Sequence, residues 1–162
     1  MSHPRIKMIA PLEQQDLNGA IWPLRAVKPD DVEELGRLMI SAYAGTIDYD
    51  GETEEQAIRE IRSMMNGKYG DFLRSCSFAI DGEEGLRSAC LMSIWEHAPL
   101  VLVVMTRAED KHLGLGEFLL RYCMQVLRDH GYANLALFVT EGNTPAQRLY
   151  EKLGFKVVVN HS

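Results

Sequence analysis

The 162-residue chain predicts a mixed α/β (α+β) fold, a mainly antiparallel central sheet flanked by four helices. Three strand-like segments follow one another over residues 75–106 with only short turns between them, which makes them an antiparallel meander. Over residues 100–139 a strand, a helical stretch and another strand form a unit that must be a right-handed parallel crossover. Two helical periodicities lie upstream of the meander and one more near the end of the chain.

Residues 1–18 mix Pro, His, Arg, Glu and Gln and are expected as a polar N-terminal arm, leaving residues 19–162 as a single domain. The segment 21–27 is strand-like. Pro29, Asp30 and Asp31 open a helix, since Pro suits the first turn and acids suit the positive end of the dipole. Val32, Leu35, Leu38, Met39 and Ala42 form its buried stripe. Residues 44–52, with Gly45 and Gly51, read as a loop. Thr53 and Gln56 have the form of a capping box for a second helix, whose inner face carries Ala57, Ile58, Ile61, Met64 and Met65. Asn66-Gly67 ends it.

Strands are expected over 75–80, 86–95 and 100–106, with turns at 81–85 and around His97-Ala98-Pro99. The segment 100–106 is nearly all apolar, the mark of a strand covered on both faces. After Gly116 the period turns helical: Leu119, Leu120, Cys123, Val126 and Leu127 share a face, and Gly131 stops the helix. Residues 133–139 form a strand. Thr144-Pro145-Ala146-Gln147 reads as a second capping box, opening a helix with Ala146, Leu149, Tyr150 and Leu153 on one face. Gly154-Phe155 closes it, and 155–159 is a last strand.

Composition excludes some classes. The net charge of -6 argues against nucleic acid as a partner, because phosphate binding needs clustered Lys and Arg, and favours cationic small molecules. No apolar run is long enough for a membrane span, and residues 1–17 have no apolar signal core. Cys76, Cys90 and Cys123 lie far apart without a C-x-x-C pair, which reads as reduced, buried thiols in a cytoplasmic protein. The five histidines show no metal-ligand spacing, so no metal is expected.

The chemistry centres on Lys111-His112-Leu113-Gly114-Leu115-Gly116, which follows a strand and enters a helix directly. The first N–H groups of a helix lack internal partners and lie at the positive end of its dipole. Glycines let the chain curl so that several amides converge on one anion, a natural diphosphate site, with Lys111 adding charge at its edge. From the loop alone a second reading stands equal: two glycines that merely shape a tight helix entry. A dinucleotide motif is disfavoured, because its third Gly would fall at Leu119, and no G-x-x-x-x-G-K-[ST] occurs.

Lys111-x-x-Gly114-x-Gly116 resembles the Arg/Gln-x-x-Gly-x-Gly/Ala signature of the GNAT superfamily of N-acetyltransferases. One helix and one strand later, Asn143-x-x-Ala146-x-x-x-Tyr150-x-x-x-Gly154-Phe155 resembles the second signature of that family. Order and spacing match, and the likeness spans residues 21–159. It implies transfer of an acetyl group from acetyl-CoA to a primary amine, with no metal, and dimers are common among relatives. It also implies that the backbone of Val104, Met105 and Thr106 pairs with the pantetheine arm like an added strand. His112, Leu113, Gly114, Leu115, Gly116 and Glu117 would hold the pyrophosphate, with Asn143 near the thiol end and Ala146 and Tyr150 as further cofactor contacts. Lys111 stands in place of the usual Arg or Gln, and His112 where many members carry Gly. A lysine cannot make the bidentate fork, so the amides must do most of the binding.

By the same resemblance Tyr150 is the general acid. From its helical stripe alone it also reads as a core tyrosine. The strand carboxylate that serves some relatives as base is replaced by Phe138, and Glu96 and His97 sit at a turn several residues from the expected thioester site. The loop between the first two helices lines the acceptor side in relatives; Tyr43, Asp48 and Tyr49 are the candidate substrate contacts, beside Asp50 and Glu52. The same loop also reads as a solvated acidic segment. A small-molecule amine is the expected acceptor. A non-catalytic acyl-CoA-binding module, or a transferase acting on a protein N-terminus or lysine, are the alternatives.

Overall fold

The computed structural model describes residues 4–17 and 22–159. The strand boundary expected at Ile21 and the domain boundary between residues 18 and 19 lie outside these. Eight strands form one sheet in the order β2-β4-β5-β6-β7-β1-β8, with β3 paired to β5 off that path. They are β1 (Arg5–Pro11), β2 (Arg25–Ala26), β3 (Asp71–Phe72), β4 (Phe78–Gly82), β5 (Gly85–Trp95), β6 (Ala98–Thr106), β7 (Asn134–Thr140) and β8 (Lys156–Val157). The four helices among the described residues are α1 (Val32–Tyr43), α2 (Glu54–Met65), α3 (Leu115–Asp129) and α4 (Thr144–Lys152). The β4–β5–β6 meander is antiparallel, as expected, and β6 runs parallel to β7.

The sheet carries a core on each face. Along β5, Cys90 and Met92 join the cluster built with α3, whereas Ala89 and Leu91 join the cluster built with α1 and α2. That is the period of two of a strand buried on both sides. On β6 the parity breaks. Leu91 pairs with Val103 and Met92 with Val101, so Leu102 is an extra, bulged residue. Val101 and Val104 therefore share the α3 side, with Val103 and Met105 opposite. The bulge re-aims Val104.

Five local readings are corrected. Arg5–Pro11, expected within a polar arm, form β1, which lies between β7 and β8 and pairs with both. Met8 and Ala10 point into the core at strand spacing. The second capping box is displaced: Asn143, not Thr144, is the N-cap of α4, its side chain accepting from the Ala146 amide. Among the described residues 22–27 only the two of β2 are strand, and among 155–159 only the two of β8. The expected strand over 75–80 begins at Phe78, because residues Arg74–Cys76 make a 3-10 turn.

The first capping box is present, with the Gln56 amide donating to Thr53 and the Thr53 amide to Gln56. Helices α1 and α2 touch at Gly36, where an added Cβ would lie 2.8 Å from the Ile58 Cα. Only glycine permits that approach. The loop that joins these helices lines one cleft together with residues of β6 and β7.

Candidate active site

Strands β6 and β7 pair only at Leu100–Ala136 and Val101–Leu137. Beyond these positions the two strands part, and the side of β6 that faces β7 from Leu102 to Thr106 has no ladder partner. A cleft of about 840 Å³ opens there. Val104, Asn143, Ala146 and Tyr150 line it, together with Tyr43, Asp48 and Tyr49. Met105 turns its side chain into the core on the α1–α2 side, leaving only its backbone toward the parting strands. Ser88 donates to the Met105 carbonyl at 2.7 Å and lies 2.9 Å from the Thr106 hydroxyl, which steadies this stretch from the β5 side.

The glycine loop meets the cleft at Val104. An added Cβ on Gly116 would stand 3.5 Å from the Val104 side chain and 3.4 Å from the Thr106 hydroxyl. Gly114 caps α3 at φ 86°, where glycine is required by conformation. His112, also left-handed at φ 71°, bends the chain just before it. Among the described residues, the amides of His112, Leu113, Gly114, Leu115, Gly116 and Glu117 donate to no protein acceptor; the first helical bond runs from Phe118 to Gly114. Consecutive free N–H groups at a helix N-terminus form an anion site. Asp110 anchors the approach to this loop. Its carboxylate accepts from Arg87 at 3.0 Å and from Arg107, and these bonds hold it below the usual carboxylate range.

Lys111 does not point its charge into this ring. Its ammonium donates to the Ala42 carbonyl at 2.6 Å, at the negative end of α1. It ties the glycine loop to the C-terminal end of α1. Lys111→Ala should therefore cost about 1 kcal/mol of stability and weaken acetyl-CoA binding only a few-fold. A calorimetric titration checks this, and complete loss of binding would show that the ammonium, not the amides, holds the anion.

Asn143 is engaged at both ends. Its Oδ1 accepts from the Ala146 amide and its Nδ2 donates to Asp48 at 3.0 Å. Asp48 also accepts from the Thr140 hydroxyl at 2.5 Å. The α1–α2 loop is thus pinned to the end of β7 and to the cap of the helix that carries Tyr150. Burial pushes the Tyr43 phenol up to about 12, helped by the Asp48 charge. Burial also raises the Tyr150 phenol well above its ordinary range, with Tyr43, Cys90 and Asp48 adding to it. Both phenols stay protonated near neutral pH and can only donate or accept hydrogen bonds there.

Some of this was missed from sequence. Arg5, Glu60, Tyr69 and Trp95 also line the cleft. Arg5 arrives on β1, opposite Thr140, and Tyr69 donates to Glu60 at 2.7 Å. The pairing of Ile6, Met8 and Ala10 at alternate positions was the one available sign of β1. Phe138, exposed on β7, also lines the cleft. Glu96 and His97 form the tight β5–β6 turn, both left-handed, and neither reaches the cleft. All three cysteines are buried free thiols. Among the described residues no group of His, Cys, Asp and Glu is placed to hold a metal, and no helix is long and apolar enough to cross a membrane.

A family model described as acetyltransferase (GNAT) family matches residues 49–155. A mycothiol acetyltransferase from Corynebacterium glutamicum is 39% identical over 69 residues, which are 41% of this chain and 24% of that protein. Another, from Thermomonospora curvata, is 46% identical over 55 residues, 34% of this chain and 18% of that protein. The matched stretch thus spans a quarter or less of these curated relatives. A GCN5-related N-acetyltransferase from Sphaerobacter thermophilus has the same fold at a TM-score of 0.70 and 19% identity, covering 95% of this chain and 48% of that one. The PaiA N-acetyltransferase from Thermoplasma acidophilum, solved in complex with coenzyme A, gives 0.63 at 22% identity, covering 86% of this chain and 92% of that one.

Proposed function

This chain belongs to the acetyltransferase (GNAT) family, and on that premise we propose that it transfers the acetyl group of acetyl-CoA to a primary amine of a small molecule. The observation that carries the reading is the run of unpaired amides from His112 to Glu117 beside the unpaired edge of β6. The amides fit a diphosphate, and the free edge fits an amide-bearing arm that adds to the sheet as a strand. Both features lead to one cleft, through Val104, and Tyr150 lines that cleft.

In this reading the backbone of Val104, Met105 and Thr106 pairs with the pantetheine arm, and its N–H groups stabilise the oxyanion formed when the amine attacks the thioester. The tetrahedral intermediate collapses by breaking the C–S bond. Tyr150 is the general acid, its protonated phenol donating to the departing sulfur. Tyr43, Asp48 and Tyr49 form the acceptor side. The amine's proton leaves through this side, because Phe138 offers no base.

The test is an amine panel with acetyl-CoA, following release of free coenzyme A thiol. Amine-dependent release is expected. Tight acetyl-CoA binding without release for any amine would favour a non-catalytic acyl-CoA-binding module, the reading that Phe138 in the cleft supports. Release with peptides or proteins only would move the acceptor to an N-terminus or lysine.

A further inference from the structure

Resting on the transfer reading, we infer that the acceptor is a small amine bearing a second positive charge and no carboxylate, and that Asp48 seats the ammonium that gives up a proton, to water leading to bulk, before it attacks as the neutral amine. Asp48 is oriented by two neutral donors, Thr140 and Asn143. A carboxylate offers about four lone-pair positions, so about half its acceptor capacity remains. Its charge also remains whole, since neither donor is a cation. The residue stands in the same cleft as Tyr150.

Farther along the same loop, Asp50 and Glu52 face that cleft as well. Glu52 accepts the Asp50 amide at 3.0 Å. Among the described residues none of these three acids has a cationic partner. Some acids elsewhere are matched, Asp31 and Asp81 by Arg25 and Asp110 by Arg87 and Arg107, and others such as Glu33, Glu55 and Glu84 are not; what sets the three apart is that they face one cleft together. Uncompensated like charges along one loop repel one another, and a bound dication relieves the repulsion where a monocation relieves it in part. Tyr43 and Tyr49 add aromatic surface of the kind that cations favour.

An acceptor carboxylate would meet the opposite field. Arg5 is the one cation among the described residues that line the cleft, and it is the group that would welcome such a carboxylate. The free amides at the start of α3 provide the anion site, so anionic and cationic substrates are sorted by sign to separate parts of the protein.

A four-carbon series decides between these charges: diaminobutane, butylamine and γ-aminobutyrate, titrated calorimetrically into the full chain in the presence of coenzyme A. Diaminobutane is expected to bind about tenfold tighter than butylamine, a gap of about 1.4 kcal/mol, and γ-aminobutyrate weakest. Asp48→Asn should weaken diaminobutane binding by at least about tenfold while coenzyme A still binds. Glu52→Gln, on the exposed loop, should shrink the gap between the diamine and the monoamine, and it decides the matter if Asp48→Asn fails to fold. Equal affinities, or γ-aminobutyrate binding tightest, would overturn the inference and point to Arg5. If diaminobutane binds tightest but no amine of the panel releases thiol from acetyl-CoA, the transfer reading fails, and only the preference of the cleft for a dication stands. Thiol release with other amines while the three bind alike would do the reverse.

Discussion

Tyr150→Phe is expected to lower kcat by about a hundredfold while acetyl-CoA affinity and stability stay close to those of the parent chain. The low end of the range for general acid catalysis applies, because a thiolate is a good leaving group with a thiol pKa near about 8.5. Stability should hold for a separate reason. Among the described residues the Tyr150 hydroxyl bonds to no protein group, so its removal strands no buried partner. The ring keeps its edge contact with Phe155, their centroids 5.8 Å apart. The raised phenol pKa gives the assignment a second handle. Parent activity should show no loss of the acid form until well above the ordinary phenol range. Single-turnover kinetics with thiol detection checks the rate, and a calorimetric titration checks the affinity. Unchanged turnover in the mutant would return Tyr150 to its other reading, a tyrosine that merely packs.

The second large effect is expected at Gly116. Gly116→Leu should cut acetyl-CoA affinity by about tenfold to a hundredfold, equivalent to about 1.4 to 2.7 kcal/mol, with a smaller change in Tm. Gly116 has neither a left-handed φ nor a tight neighbour; the nearest atoms to an added Cβ lie at 3.4 and 3.5 Å, ordinary contact distances. Nothing in the protein itself demands glycine there. A larger side chain would instead occupy the space between the first turn of α3 and the free edge of β6, where the cofactor reading puts the arm and its diphosphate. Thermal melts run beside the binding titration separate the two outcomes. A mutant that binds acetyl-CoA as tightly as the parent would show that no ligand passes there. Gly114→Ala is the contrast: its cost should fall on the fold, because φ 86° strains any side chain.

The helices and the meander were legible because their signals are local. Thr53 and Gln56 sit three residues apart and find each other in the structure as they do in the sequence. The loop from His112 to Glu117 was legible for the same reason: a glycine at the N-cap and a helix start are events within one turn of chain. The short strands were not. Strands β2, β3 and β8 each hold two residues, too few for any period to show, and each exists only because a longer strand lies beside it. Strand β1 had alternation, but it is framed by charges and proline and its partner β7 lies more than a hundred residues away.

What the sequence by itself determined is therefore the class of fold, the order of its main elements, the family likeness and the amide-rich loop, all of which depend on spacing within a few residues. The tertiary structure alone decided where Lys111 and Asn143 spend their polar groups, because Ala42 and Asp48 reach them from distant parts of the chain. It also decided that Arg5 enters the cleft, that Leu102 bulges and turns Val104 toward it, and that the three loop acids face it with no salt-bridge partner among the described residues. A side chain's hydrogen-bond partner and electrostatic field are set by whatever lies within a few ångströms of it, and chain spacing does not encode that distance.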